Sequence, residues 1–469
     1  MTASTLTQQL AEFAIDTPAS RLSTELRALA RNASIDTVGC ALAALSEPVV
    51  RIVNKSVADA TTGLTASVWG LGRKVGVADA AFLNAVSSHA LDFDDNIPTM
   101  RGHPSTTMLP TVLAVGEALG ASGADVLDAF ILGLELAGKL GLAFGPAHYT
   151  RGWHPTSSVG IFGATAAAAR LLGLSSAQMT HAWGLAASQT AGLIANFGTM
   201  AKPFHAGHAA RCAVQAALLV RDGFAANSAI FDDKPRSVIA TYRGEDALPL
   251  EQLIPKLGAP WEIEEPGLFV KLWPCCYCSH RPISGLLQLM RQHAIKPEEV
   301  QEIAIGFPPG TDAGLVKQLP ITGLGGKFSI GYTAAALVLD GVVNLDTFTD
   351  DMFTRPLVQT LMDKVRPYPI EDGKRWSSTV GYNDVTIVTA RGSFAMRVDE
   401  TPGSPKLPLP AAQIDAKFLD CASASLPADH AASALKLLRS LADLHDCRPL
   451  LDCLRHDNAV LREQATDQK

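Results

Sequence analysis

Apolar side chains up to about residue 260 recur at the three- and four-residue spacing of amphipathic helices. Alanine, leucine and glycine dominate runs such as 162–172 and 209–220, and small side chains of this kind let helices approach one another closely. Ser122 and Ser175 precede two further helical runs, and Gln178 lies three residues after Ser175, as in a capping box. The pattern predicts a packed multi-helix core.

The pattern changes between two Pro-rich stretches that lack periodicity, residues 259–269 and 400–410. The order of elements predicts a fold that is mainly α with an α+β part. A large all-helical domain would be built from both chain ends, residues 1–265 and 405–469, with a smaller α+β lid domain inserted at residues 266–404. The signals are alternating apolar positions for strands at 303–307, 385–387 and 394–398, and apolar runs for helices at 283–293, 332–339 and 431–444.

The composition narrows the class of protein. Apolar residues make up 47% and charged residues 18% of the 469-residue chain, which excludes a disordered protein. A net charge of −7 without a basic stripe argues against a nucleic-acid partner. No apolar run reaches the roughly 18 residues of a membrane span, no secretory signal begins the sequence, and the eight cysteines are irregularly spaced. We therefore expect a cytoplasmic protein with reduced thiols and no membrane contact.

Two similar tripeptides precede predicted helices, His103-Pro104-Ser105 and His154-Pro155-Thr156. A helix start presents free N–H groups and the positive end of the helix dipole, so an adjacent histidine completes a corner that can bind a carboxylate. Two such corners could bind a substrate with two carboxylates. The alternative is that both are ordinary helix entries, and Pro110 is expected to interrupt the first helix after one turn.

Three acids follow His89 at the end of a predicted helix: Asp92, Asp94 and Asp95. Carboxylates here could act as a general base, orient a histidine or bind a metal, while helix capping or ion pairing is the structural alternative. Terpene cyclases that start by protonation use a similar acidic element on a helical scaffold. Their cavities need aromatic walls, and an aromatic content of 6% argues against that chemistry.

Lys202 and His280 are two further candidates. Lys202 precedes a predicted helix in a Gly-rich context, where an ammonium could bind a carboxylate or stabilise an enolate, although a surface lysine is the ordinary alternative. His280 follows three cysteines, but no second cysteine pair lies nearby, so zinc is not expected. Motifs for nucleotides, nicotinamide, serine hydrolysis and zinc peptidases are absent from the sequence. We therefore expect chemistry without a cofactor or a metal.

Taken together, several stretches resemble the MmgE/PrpD family, which includes 2-methylcitrate dehydratases, cis-aconitate decarboxylases and iminodisuccinate epimerase. The stretches are SSHALDFDD with HPS, GWHPTSSVGIFGATAAAARLLGL, AKPFHAGHAA, KLWPCCYCSH and GKFSIGY, in the family's order. The resemblance implies a large helical domain with a smaller α+β lid and a site between them. It also implies a homodimer.

By this resemblance the catalytic residues would be Asp92, His103, Lys202, His280 and Tyr332. His154 and Asn96 would bind the substrate together with Lys202. Asn96 departs from the threonine that many dehydratases and decarboxylases of the family carry after the paired acids, which bears on the reaction more than on the substrate class.

The implied chemistry is proton transfer at a carbon beside a carboxylate of a di- or tricarboxylic acid. His103 would be the main acid/base, with Asp92 orienting it, because an imidazole titrates near neutral pH. Expulsion of a β-hydroxyl gives a dehydratase, which is the first expectation because it is the commonest assignment in the family. Epimerisation, which Asn96 makes more plausible, and decarboxylation are the alternatives. A catalytically silent helical scaffold is the hypothesis from another class.

Overall fold

The structure is a computed structural model that describes residues 4–60 and 62–456. Residues 457–469, which the sequence assigned to the helical domain, lie outside the described residues. Helices dominate up to Leu253, and Ser122 and Ser175 cap the helices that begin at Gly123 and Ser176, as predicted. The elements are α1 Leu6–Asp16, α2 Thr24–Ala43, α3 Pro48–Lys55, β1 Thr65–Val68, β2 Arg73–Gly76, α4 Val77–Ala90, α5 Pro104–Leu119, α6 Gly123–Phe144, α7 Pro146–Thr150, α8 Pro155–Ser158, α9 Gly160–Leu171, α10 Ser176–Ala187, α11 Ala201–Arg221, α12 Val238–Tyr242 and α13 Leu250–Leu253.

Strands and helices mix in the next part of the chain, and helices return at its end. The elements are α14 His280–His293, β3 Val300–Phe307, α15 Gly323–Gly326, α16 Ile330–Asp340, α17 Asp350–Phe353, α18 Pro356–Met362, β4 Val365–Pro369, β5 Asn383–Thr389, β6 Gly392–Val398, α19 Ala411–Ala422, α20 Ala428–Arg439 and α21 Arg448–Leu454.

The larger sheet has the strand order β4-β3-β5-β6, with β3 parallel to β4 and antiparallel to β5. Ile303 lies opposite Ile387, and Ile305 lies opposite Val385, and all four side chains are fully buried. Because side chains alternate across a strand, this register places one apolar face toward helix α14. The contact is close at Gly285, where an added Cβ would lie 3.0 Å from a Val385 side-chain atom.

The buried apolar residues form two large separate clusters. The helical core combines residues from Leu10 to Ile263 with residues from Leu409 to Leu454, and the α+β core contains residues from Trp273 to Val398. The two ends of the chain meet where α2 packs on α19, and an added Cβ on Gly39 would lie 3.3 Å from the Phe418 Cα. The prediction of a mainly α fold with an α+β part is confirmed, and the domain boundaries stay a prediction.

Two local predictions were wrong. The helical part also contains the hairpin β1–β2, in which Ser67 donates its N–H to the buried Glu117 carboxylate (2.7 Å). Pro110 does not interrupt α5, because this helix is buried against α4, α6 and α9 and tertiary packing outweighs the missing N–H. The second His-Pro corner opens a helix as predicted, although the helix is divided at Val159 into the single turn α8 and the longer α9.

Strand β4 was not predicted, because its sequence contains Pro367 and Pro369. The strand can form because it lies at the edge of the sheet, where a missing N–H is tolerated.

Among the described residues, no helix by itself has the length and apolar content to cross a membrane. Helices α2 and α3 have that length and apolar content only when they are taken together, and they are bent by 85° at their junction.

Candidate active site

A small cavity of about 40 Å³ lies where the helical core meets the α+β core. Helix α4 ends just before it, and Asp92 follows in a left-handed backbone conformation (φ 53°), so the chain turns sharply into the loop that leads to α5. This turn aims the acidic segment at the cavity instead of at solvent. The described residues that line it are Asp92, Asn96, Arg101, His103, Tyr149, His154, Phe197, Lys202, Lys271, Cys276, Tyr277, Gly314, Phe328 and Ser378.

Asp92 is a buried carboxylate held between two lysines. The Lys202 ammonium donates to its Oδ1, and the Lys271 ammonium lies 3.0 Å from its Oδ2. Burial alone would raise the pKa of Asp92, but Lys202, Lys271 and His103 together hold this pKa below its usual value. Burying an ion costs several kcal/mol unless partners compensate it, and two ammonium groups do so here. Asp92 is therefore ionised, and the cluster carries net positive charge.

Asp94 bridges two histidines. Its carboxylate lies 2.9 Å from the His89 Nδ1 and 3.0 Å from the His103 Nδ1, and all three side chains are buried. Burial lowers the pKa of His103, and the Asp94 charge opposes that shift. Burial lowers the pKa of His89 further, to about 3. The carboxylate that directly contacts His103 is thus Asp94, whereas the Asp92 Oδ1 lies 3.9 Å from the His103 Nε2.

His154 has a different partner. Its Nδ1 lies 3.1 Å from the Nδ1 of His205 on α11, so one of these two rings must donate and the other accept. Burial lowers the pKa of His154 well below 6.5, and the charge of the nearby Lys202 ammonium lowers it further. Burial likewise lowers the pKa of His205 to about 4. Both rings are therefore neutral near pH 7.

The two His-Pro corners touch each other. The backbone N–H of His103 donates to the Thr156 Oγ1 (3.1 Å), and an added Cβ on Gly102 would lie 2.8 Å from the Thr156 backbone nitrogen. The corners therefore form one unit, with His103 and His154 on adjacent parts of the cavity wall. Gly102 permits this approach because it has no side chain.

Further lysines fix the backbone of the acidic segment. The Lys327 ammonium donates to the Leu91 carbonyl (2.8 Å) and the Pro274 carbonyl (3.0 Å), which connects the α+β core to the end of α4. The Lys417 ammonium donates to the Phe93 carbonyl (2.9 Å) from helix α19. Burial lowers the pKa of Lys327 to about 8. These contacts explain how a segment with a strained residue keeps one conformation.

Asp95, the third acid, points away from this cluster. Its carboxylate accepts a hydrogen bond from Ser105 (2.5 Å), and burial raises its pKa to about 8. Asp95 is therefore mostly protonated near pH 7 and adds no charge to the site.

Five of the seven residues predicted from the sequence line the cavity: Asp92, Asn96, His103, His154 and Lys202. His280 does not line it, but its ring stacks on the cavity residue Tyr277 with centroids 4.6 Å apart. Tyr332 lies inside the α+β core, fully buried, and donates to the Thr347 carbonyl. Tyr332 is thus separated from the other predicted residues, because the register of α16 turns it toward Phe348 and Phe353.

Sequence reasoning did not select four residues that the structure places at or beside the cavity. Lys271 begins the stretch KLWPCCYCSH, in which the cysteines and His280 are the more distinctive residues. Arg101 lies two residues before His103, and His205 lies three residues after Lys202. Asp94 was noted only as one of three acids. Proximity to a selected residue was the available signal for Arg101, His205 and Asp94.

His89, Asp92, Asp94 and His103 offer ligand atoms within 4.8 Å of one another, a distance that suits a metal ion. The donor set argues against one, since Asp92 already contacts the two ammonium groups of Lys202 and Lys271. A divalent cation would compete with these ammonium groups for the same oxygens and would be repelled by them. The arrangement is better suited to bind an anion.

The cavity combines cations with neutral imidazoles and aromatic walls. The Lys202 ammonium lies 5.4 Å from the Phe197 ring centroid and 5.2 Å from the Phe328 ring centroid. Apolar walls around charged donors strengthen their interaction with an anion, because little water screens it. The geometry can therefore hold a carboxylate, stabilise negative charge that develops on it, and exchange a proton through His103.

Sequence comparison with known proteins identifies the family of this chain. The chain matches the MmgE/PrpD N-terminal domain over residues 8–248 and the MmgE/PrpD C-terminal domain over residues 273–443. It is 29% identical over 436 residues to a cis-aconitate decarboxylase of Homo sapiens, covering 90% of this chain and 88% of the relative.

A cis-aconitate decarboxylase of Mus musculus is 30% identical over 398 residues, which cover 80% of this chain and 78% of the relative. One of Aspergillus terreus is 28% identical over 411 residues, which cover 82% of this chain and 83% of the relative. The two domain matches together include every described residue that lines the cavity except Lys271. The chain belongs to the MmgE/PrpD family.

Proposed function

We propose that this chain is a cofactor-independent lyase that decarboxylates an unsaturated tricarboxylate of the cis-aconitate type. The observation that carries the proposal is the buried cluster in which Lys202 and Lys271 face a single ionised carboxylate, Asp92. With Arg101, three cationic side chains and one carboxylate line the described part of the cavity. Such an excess of positive charge favours a substrate with several carboxylates.

The names of the relatives favour decarboxylation over the dehydration that the sequence first suggested. Three long alignments are to proteins named cis-aconitate decarboxylase. The 2-methylcitrate dehydratase activity stays a prediction, as does epimerisation of a dicarboxylate such as iminodisuccinate. The homodimer and the cytoplasmic location also stay predictions.

The reaction needs stabilisation of charge and one proton. The bond between the methylene carbon and its carboxylate breaks, and carbon dioxide leaves without the bonding electrons. Those electrons form a new double bond at the former methylene carbon, and the old double bond moves its electrons to the carbon beside a second carboxylate. That carboxylate becomes an enediolate, which ammonium groups can stabilise. A proton delivered to the adjacent carbon completes the product.

In this proposal His103 delivers the proton. Contact with Asp94 stabilises its protonated form, and its Nε2 faces the Asp92 side of the cluster. Lys202 uses one of its three N–H groups on Asp92 and retains donors for the substrate. His154 and Asn96 bind substrate carboxylates. His280 and Tyr332 touch no substrate in this scheme.

Proton NMR in heavy water tests the proposal directly. The purified protein is incubated separately with cis-aconitate, 2-methylcitrate and iminodisuccinate. We expect consumption of cis-aconitate, release of carbon dioxide, and a product that carries one deuterium at the newly protonated carbon. Loss of water from 2-methylcitrate without decarboxylation, or exchange of iminodisuccinate protons at unchanged constitution, would contradict it in favour of dehydration or epimerisation.

A further inference from the structure

A second, outer cavity of about 40 Å³ adjoins the site cavity and shares Arg101, Tyr149 and Ser378 with it. Two arginines and five hydroxyl side chains line this outer cavity, and no carboxylate is among its described lining residues. Guanidinium and hydroxyl groups are hydrogen-bond donors suited to carboxylate oxygens. The hydroxyl groups belong to Tyr149, Thr150, Ser377, Ser378 and Thr379.

The two guanidinium groups are close enough to affect each other. Burial lowers the pKa of Arg101, and the charge of Arg375 lowers it further. Neither arginine forms an ion pair within 4.0 Å with a carboxylate of the described residues. Asp246, an exposed acid in the wider cleft that also contains Arg101 and Arg375, acts on Arg101 in the opposite direction. Two adjacent cations without a close counterion repel each other, and an anion between them would remove that cost.

Arg101 belongs to a rigid loop. Its own backbone is left-handed (φ 57°), and its N–H donates to the Ile97 carbonyl (3.0 Å). Thr99 donates its hydroxyl to the buried Glu262 (2.5 Å), and Gly141 of α6 allows the loop to lie directly on the helix. The backbone of Arg101 is therefore held in place by the helical core.

Arg375 is held by a loop of the α+β core. Asp372 accepts hydrogen bonds from the Lys374 N–H (3.0 Å) and the Trp376 indole (3.0 Å), on either side of Arg375. The Trp376 N–H donates to the Pro309 carbonyl (2.8 Å). An added Cβ on Gly310 would lie 2.4 Å from the Trp376 carbonyl oxygen, so only glycine fits there. The loop is thus built to hold its position beside the cavity.

We propose that Arg101 and Arg375 form an anion-binding subsite at the entrance to the active site, which takes one carboxylate of an incoming polycarboxylate. The inference rests on the proposed function for the identity of the ligand class. Arg101 lines both cavities and passes the carboxylate inward, whereas Arg375 lines only the outer one. Arg375 therefore affects recruitment and selectivity for charge, and takes no part in the chemical step.

Binding of propane-1,2,3-tricarboxylate tests this subsite, because this saturated acid lacks the double bond that the proposed decarboxylation requires. Isothermal titration at low and high ionic strength compares the wild type with Arg375→Gln and Arg375→Lys. We expect Arg375→Gln to raise the Kd for the tricarboxylate roughly three- to tenfold and to flatten its salt dependence. The Kd for acetate should change less, and Arg375→Lys should restore most of the salt dependence.

Arg221→Gln is the matched control, because it removes the same charge from the end of helix α11, where Arg221 pairs with Asp222. Equal affinities and salt slopes for the wild type and Arg375→Gln would overturn the subsite. So would an equal loss in Arg221→Gln, since the cause would then be net charge alone. A wild type that binds the tricarboxylate but decarboxylates no cis-aconitate would contradict the proposed function and leave the subsite standing.

Discussion

His103 and His154 occupy equivalent backbone positions but meet opposite kinds of neighbour. Each is the N-cap of a helix with proline at the first position, and their backbone angles differ by little more than ten degrees (φ −105°, ψ 91° and φ −93°, ψ 100°). The His103 Nδ1 faces the Asp94 carboxylate, and the His154 Nδ1 faces the neutral ring of His205. The same local sequence thus produces two different electrostatic environments.

This difference in environment suits His103 to proton transfer and His154 to substrate binding. A carboxylate stabilises an imidazolium, so His103 can gain a proton despite its burial. No carboxylate contacts His154 among the described residues, and burial with nearby cations keeps that ring neutral. A neutral ring can donate or accept a hydrogen bond but is a poor proton donor. We therefore expect His103 to govern turnover and His154 to govern affinity.

The largest effects should come from replacing the two histidines themselves. We expect His103→Gln to lower kcat on the order of 10² to 10⁴, the range for loss of a general acid. His154→Leu should raise KM about tenfold, the loss of one hydrogen bond to a charged group, with a smaller effect on kcat. Steady-state kinetics with cis-aconitate checks both. If the two variants lost kcat equally, the separation of roles would be wrong.

Replacing the Asp94 carboxylate should remove most of the difference between the two corners. Asp94→Asn keeps the shape of the side chain but removes its charge, so the protonated form of His103 loses its stabilisation, and kcat should fall on the order of 10². Asp95→Asn is the matched control. Asp95 is mostly protonated near pH 7, so an amide there should cost little activity. A large loss in Asp95→Asn would point to general damage.

The pH dependence of turnover sharpens the same comparison. Burial lowers the pKa of His103 below 6.5, and Asp94 partly offsets this shift. Turnover that needs the imidazolium is fully present below that pKa and is lost as pH rises through it. In Asp94→Asn the offset is absent, so the alkaline limb of the kcat profile should move to lower pH. An alkaline limb that does not move would assign the proton to another group.

Forcing the two His-Pro corners apart should lower the free energy of unfolding. Gly102→Ala brings a Cβ to within 2.8 Å of the Thr156 backbone nitrogen, and neither backbone can move far in a buried region. We expect the free energy of unfolding to fall by about 1–3 kcal/mol, as for overpacking of a core. Gly331→Ala is the control, since its nearest contact would be the Ser329 Oγ at 3.7 Å in an open helical position. Chemical denaturation measures both variants.

Much of this arrangement could be predicted from the sequence. The helix entries at His103 and His154 have local signals in proline and hydroxyl residues, and the acids after His89 stand out as a group. The sequence alone does not show which side chains that are far apart along the chain contact each other in the fold. Nothing local indicates that Lys271 reaches Asp92, 179 residues earlier, because that contact depends on how the α+β core sits on the helices.

The positions of the Tyr332 and His280 side chains show the same limit of prediction from sequence. Tyr332 and His280 lie in motifs that resemble the family's, but helix register decides where a side chain points. Gly326 of α15 leaves room for the ring of Tyr332, which packs against Phe353 inside the α+β core, and the Tyr332 hydroxyl donates to the Thr347 carbonyl there. Pro110 shows the reverse case, in which a strong local signal is overruled by burial.

The smallest effect should come from the partner of His154. His205→Leu fills a similar volume but cannot bond the His154 Nδ1, so the ring of His154 loses the contact that fixes its tautomer and orientation. We expect KM to rise roughly threefold with kcat nearly unchanged, because a neutral hydrogen bond contributes only about 1 kcal/mol.

His205→Asn should keep KM near the wild-type value, since an amide can supply the donor or the acceptor at that position. His208→Leu, one turn further along α11, removes a hydrogen bond to the Gln189 carbonyl instead and should leave KM unchanged. If His205→Leu lowered kcat as strongly as Asp94→Asn does, His205 would take part in proton transfer. The two corners would then differ less in function than their charges indicate.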